Sequence, residues 1–142
     1  MHKVCKMNKS VLFLGLLAIT FTACKKEDPD MVKPVITVNQ PASDQMDVRL
    51  GENFSIQATI TDDVELSQWK INIHSADGHT HRIMAGEWEL TETGVASGKS
   101  YSFSKTVTVP NDAELGEYHY TVEATDKAGN AAVPVIIELH LE

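Results

Sequence analysis

The chain has 142 residues, 42% of them hydrophobic, with 12 basic residues against 20 acidic ones and a formal charge of −8. That length holds one modest domain plus a targeting segment. The acidic balance excludes nucleic acid and anionic membrane surfaces as electrostatic partners.

Lys3, Lys6 and Lys9 precede an apolar run from Val11 to Phe21. A basic start before a run shorter than the ~20 residues needed to span a bilayer reads as a secretory signal peptide. Met7-Asn8-Lys9 offers an alternative start that would leave Cys5 outside the protein. The run ends Phe21-Thr22-Ala23-Cys24, and small residues before a cysteine resemble the bacterial lipobox. The resemblance implies cleavage of residues 1–23 and acylation of Cys24, with the lipid as the membrane partner. Residues 24–33 then form a charged tether carrying Pro29. Its Lys25-Lys26-Glu27-Asp28-Pro29-Asp30 resembles the surface-export signal of Bacteroidota lipoproteins, which implies an outer-membrane, cell-surface address. Three basic residues precede Cys24 and no acidic ones do, so the mature chain carries 20 acidic against nine basic residues, an excess of 11 negative charges. It also keeps no cysteine pair for a disulfide, and its stability must come from the core.

The domain, residues 34–142, opens with Pro34-Val35-Ile36-Thr37-Val38, an edge strand with proline where no ladder donor is needed. Gln40 to Gly51 is turn-rich. Asn53 to Thr61 alternates cleanly, sending Phe54, Ile56, Ala58 and Ile60 inward. A loop through Asp62 and Asp63 leads to Leu66 and a strand with Trp69, Ile71 and Ile73 on one face and Lys70, Asn72 and His74 on the other. Asp77-Gly78 is a strong hairpin signal, because a type I′ turn needs positive φ at both central residues. A two-residue turn there predicts a return strand over His79–Met84, with His74 opposite His81, whereas a three-residue loop Ala76-Asp77-Gly78 would turn His79 and His81 to the other face. Trp88 and Leu90 suggest a short strand before a Gly94/Gly98 loop, with Trp88 either in the core or exposed for a glycan. Tyr101 to Val109, Gly116 to Asp126 and Val133 to Leu141 alternate again, and Lys127 to Asn130 is a turn.

No helical period survives in the mature domain. Seven to eight short strands separated by turn signals predict an all-β, immunoglobulin-like antiparallel sandwich. The tryptophan on the third strand and Gly116-Glu117-Tyr118, which resembles a tyrosine corner, fit that plan. At about 110 residues the domain buries a real but modest core.

Gly51-Glu-Asn-Phe54 through Thr61-Asp-Asp63, Ile71 to His81, Val109-Pro110 and Gly116-Glu-Tyr-His-Tyr120 together resemble a Bacteroidota lipoprotein family, domain of unknown function 4625. The resemblance covers the whole mature domain. It implies an Ig-like fold on a lipoprotein and carries no activity with it.

The mature chain has five histidines: His74, His79, His81, His119 and His140. In the Ig-like plan one sheet runs seventh, sixth, third and fourth strand, all antiparallel. That order brings all five histidines to one end of the sheet, each out of phase with its strand's core residues and so facing solvent. Directly opposed side chains have Cβ atoms ~4.5–5.5 Å apart. Two imidazoles can then reach one ion at ~2.0–2.1 Å, which suits zinc, copper or nickel. At the opposite pole, Asp62, Asp63 and Asp126, with Asn130, could converge on calcium, an oxygen-seeking ion. No nucleophile–base pair, phosphate loop or carboxylate pair stands out, so no enzyme is expected. Two readings follow. One is a surface lipoprotein whose module binds a transition metal. The other is a structural or adhesive module meeting a glycan, a protein or an outer-membrane receptor without metal.

Overall fold

The computed structural model describes residues 28–76 and 87–142, and no helix occurs among them. The alternating runs become eight strands: β1 (Val35–Gln40), β2 (Gln45–Val48), β3 (Asn53–Thr61), β4 (Leu66–Ser75), β5 (Leu90–Val95), β6 (Ser100–Thr108), β7 (Gly116–Asp126) and β8 (Val135–Leu141). They form two sheets, ordered β1-β3-β6 and β2-β8-β7-β4-β5. All pairs are antiparallel except β2 with β8. This is an Ig-like β-sandwich, and its larger sheet sets the expected seventh, sixth and third strands side by side as β8, β7 and β4, with β5 next to β4.

Period two decides the core. Ile56 and Ile60 of β3 face Ile71 and Ile73 of β4, Tyr120 and Val122 of β7 and Leu139 of β8, all of them fully buried. Burying each such side chain stabilises the fold by roughly 1.5–3 kcal/mol. Trp69 stacks on Phe103 of β6, with ring centroids 4.5 Å apart and an interplanar angle of 17°, which ties the third strand to the opposite sheet. At the open side of the sandwich, Lys105 of β6 lies 5.8 Å above the Trp69 ring and 2.9 Å from the Glu92 carboxylate of β5. Inward-leaning charges on two edge strands discourage pairing with another chain.

The tyrosine corner forms as expected. Tyr118 Oη donates to the Glu114 carbonyl at 2.9 Å, and Trp88 N donates to Tyr118 Oη at 3.4 Å. Trp88 is buried against Phe54 and Tyr118, which places it in the core and not on a glycan-facing surface.

Three expectations change. The stretch read as turns, Gln40 to Gly51, contains β2, which pairs Met46 with Leu139 and Val48 with Leu141 on the edge of the larger sheet. Only four residues long, it carries too short a pattern to read locally. Gly94, expected in a loop, lies within β5 opposite Trp69. The strand beside β4 is also not the one a two-residue hairpin would supply, since Ile73 faces Leu90, Asn72 faces Thr91 and Ile71 faces Glu92. The physical reason is the indole. A Cβ at position 94 would lie 2.4 Å from Trp69, so the bulky ring needs a glycine opposite, and β5 supplies it. The proposed return strand His79–Met84 lies outside the described residues.

Candidate functional site

The strand order gathers four chain segments at one end of the sandwich. Val35 at the start of β1 pairs with Thr61 at the end of β3, and Leu66 at the start of β4 pairs with Asp126 at the end of β7. The tether just before β1 therefore arrives beside the β3–β4 loop and the β7–β8 turn. Asp30, Asp62 and Asp126, one from each, offer carboxylate oxygens within 4.8 Å of one another.

Each is held by its backbone. Asp126 is 3% exposed. Its Oδ1 accepts the Asn130 backbone N–H at 2.8 Å, and its Oδ2 accepts Asn130 Nδ2 at 2.7 Å. Gly129, at φ +94°, supplies the left-handed residue that closes this turn. Burial pushes the Asp126 carboxyl up, but hydrogen bonds from the Asn130 side chain and the backbone of Asn130, Gly129 and Ala128 outweigh it, and the group lies below its ordinary value. Asp62 Oδ1 accepts Val64 N at 2.9 Å, while its Oδ2 is buried with no hydrogen-bond partner. Asp30 Oδ1 accepts Val32 N at 2.9 Å, and the Asp30 carbonyl accepts Asn130 Nδ2 at 3.2 Å. Asn130 thus bridges the tether and the end of β7.

The sequence reading found Asp62, Asp126 and Asn130 but missed Asp30. The available signal was its place five residues before the start of β1, which had to lie beside the end of β3. Asp63, in the same loop, is exposed and outside the group.

The histidines divide. His74 of β4 stands directly opposite His119 of β7, with ring centroids 5.6 Å apart and an interplanar angle of 80°. His140 of β8 lies one row away, opposite Glu117, whose Oε1 is 2.6 Å from His140 Nδ1. That hydrogen bond and the Glu117 charge raise the His140 pKa. All three sit on the solvent face of the larger sheet, as parity requires. They do not form one cluster: among the described residues no histidine belongs to a group of three ligands. Beside His140, a shallow depression of about 280 Å³ is lined by Gln45, Asp47, Glu117 and Glu138. His79, His81 and Cys24 lie outside the described residues.

Residues 22–139 match the family described as Domain of unknown function (DUF4625). No curated protein matches the chain in sequence. Among solved structures, fibronectin(III)-like modules of CbhA from Clostridium thermocellum share 19% identity over 79% of this chain and 48% of theirs, with a TM-score of 0.47. The sporulation control protein Spo0M of Bacillus subtilis shares 12% over 78% of this chain and 49% of its own, at 0.45. The PKD domain of an M14-like peptidase from a Thermoplasmatales archaeon shares 18% over 77% of this chain and 92% of its own, at 0.40. The chain spans about half the length of the first two.

Proposed function

We propose, from the premise that this chain belongs to the DUF4625 family, that it is a lipid-anchored Ig-like module of the cell envelope whose anchored end takes a calcium ion. The ion would join the tether to the sandwich. The observation that carries this reading is the meeting of Asp30 with Asp62 and Asp126, carboxylate oxygens within 4.8 Å of one another. Three like charges at that separation repel, and a divalent cation turns the repulsion into binding. The donors are all hard oxygens, which favours calcium over zinc or copper. The buried and unpartnered Asp62 Oδ2 supplies an acceptor that no protein group uses.

Asp30 lies six residues after Cys24, in the segment that links the acyl chains to the fold. Binding there would shorten the free tether and set how the module stands on the membrane. The lipid itself contributes ~0.8 kcal/mol per buried methylene, enough with several chains to hold the protein permanently. What the module then meets, an outer-membrane receptor or a glycan, would approach the faces away from the anchor. The reading contains no catalytic step.

Calorimetry on the full chain in detergent, stripped with chelator, tests the ion. Calcium should bind with Kd on the order of 10⁻⁴–10⁻³ M, the range of extracellular modules. Asp62→Asn and Asp30→Asn should each weaken it by about tenfold or more. No binding at millimolar calcium removes the cation site, and an Asp30→Asn variant of unchanged affinity removes the tether from it. Separately, Cys24→Ala should leave the membrane fraction, and retention there after a high-salt wash would end the lipoprotein reading.

A further inference from the structure

We propose that the end of the sandwich nearest the tether is a membrane-docking surface, whose exposed apolar side chains enter the interfacial layer of a zwitterionic phospholipid bilayer. The proposal rests on the lipid-anchor reading above and adds to it a second contact with the same bilayer, made by the protein itself.

Exposed apolar side chains are unevenly spread over the molecule. Among the described residues nine large hydrophobic side chains are exposed, and six of them, Met31, Val32, Val35, Val64, Val95 and Val133, belong to segments that meet at this end. Each of the six is more than half exposed. Met31 and Val32 follow Asp30 in the tether, and Val35 opens β1 opposite Thr61. Val64 lies in the β3–β4 loop, Val95 closes β5 opposite Gln68, and Val133 lies in the connection between β7 and β8. Single hydrophobics scattered over a surface need no explanation, whereas a group gathered at one end marks a contact surface.

Two matching turns present the outermost of these side chains. Asp30 Oδ1 accepts Val32 N and Asp62 Oδ1 accepts Val64 N, both at 2.9 Å and both across two residues. Each carboxylate is held against its own backbone, and the valine two residues on stands at the surface. Lys33 follows Val32, and Lys99 gives its backbone carbonyl to Asp62 N at 2.9 Å. Both lysines are exposed, and such side chains lay their stems on apolar surface while the ammonium reaches water or a headgroup. Asp63 is exposed beside Val64, which limits the contact to a shallow one and suits a zwitterionic surface over an anionic one.

Chain length selects the occupant. Asp30 lies six residues after Cys24, and an extended chain covers at most ~3.6 Å per residue, so this end stays within about 22 Å of the acylated residue. The opposite end of β7 lies a further ~34 Å away, at ~3.4 Å per residue. A short tether makes docking intramolecular, so a surface too weak to hold a bilayer from free solution is still occupied. A second copy anchored in the same bilayer turns its own apolar end toward the lipid and cannot stack end to end on this one.

The full acylated chain in phosphatidylcholine vesicles tests the surface, with one introduced cysteine at a time carrying a polarity-sensitive fluorophore. Labels on Val64→Cys and Val95→Cys should emit at shorter wavelength and be quenched by nitroxide-bearing lipid several-fold more than a label on Leu115→Cys. Leu115 is also exposed but lies beside the start of β7, at the opposite end. Met31→Ser with Val32→Ser, at exposed positions that leave the core intact, should lower the quenching of the Val64 label. Chains that float with the vesicles while the labels at Val64 and Val95 are quenched no more than that at Leu115 would overturn the docking and leave the anchor standing. Chains that do not float would end the anchor reading and this proposal with it. A wavelength shift that grows with protein density and brings no lipid quenching would assign the surface to a second copy, and would equally overturn the proposal.

Discussion

Gly94 lies opposite Trp69 across β5 and β4, and a methyl group added at Gly94 would sit 2.4 Å from the indole. The ring occupies the space a side chain would need and stacks on Phe103 beyond it. Gly94→Ala should therefore destabilise the domain by about 1–3 kcal/mol, the cost of overpacking a filled core. Trp69→Ala should cost ~3–5 kcal/mol by leaving a cavity. Urea denaturation measures both. A Gly94→Ala midpoint equal to that of the parent would mean that the ring does not depend on the glycine.

The two core tyrosines of β7 should answer oppositely to loss of their hydroxyls. Tyr120 Oη is buried with no partner, and burial pushes its pKa far up. Tyr120→Phe removes an unsatisfied group and should be neutral or stabilising by about 1 kcal/mol. Tyr118 Oη donates to Glu114 and accepts from Trp88, so Tyr118→Phe should cost ~1 kcal/mol. Equal effects in thermal melts would contradict the hydrogen-bond assignment.

His140 provides a pH test with a defined sign. Glu117 raises its pKa in the folded state. The associated stability is present in full below the unfolded value of about 6.5 and is lost as pH rises through the higher folded value. The pair is exposed, so the effect is small and should shrink further in salt. Glu117→Gln should flatten melting temperature against pH in that window, and a slope that persists in the variant would assign it to another group.

Asp126 has the opposite sign. Its pKa is lowered on folding, so its contribution is present above the ordinary carboxylate value and is lost as pH falls through the lower folded one. Asn130→Ala deletes the side-chain donor to Asp126 Oδ2 and to the Asp30 carbonyl. Acid unfolding should then begin at higher pH than in the parent. An unchanged acid midpoint would show that the backbone donors alone hold the carboxylate.

Most of the strand inventory was legible because period two is a local property. Phe54, Ile56, Ala58 and Ile60 alternate with polar neighbours over nine residues of β3, and burial follows them without exception. The Tyr118 corner was legible for the same reason, since donor and acceptor lie four residues apart. Parity also placed His74, His119 and His140 on one face. It could not tell which of them touch, because that depends on the register between strands. The register set His74 against His119 and gave His140 to Glu117.

By itself, then, the sequence determined the fold class, the phase of each long strand and which side chains face solvent, since each follows from neighbours along the chain. Only the tertiary structure decided that β2 lies parallel to β8, that Leu90–Val95 flanks β4, and that Asp30 reaches Asp62 and Asp126. Those outcomes join residues far apart in sequence. They turn on fit between them: a tryptophan that needs a glycine opposite, and a strand order that brings the tether to the end of β3.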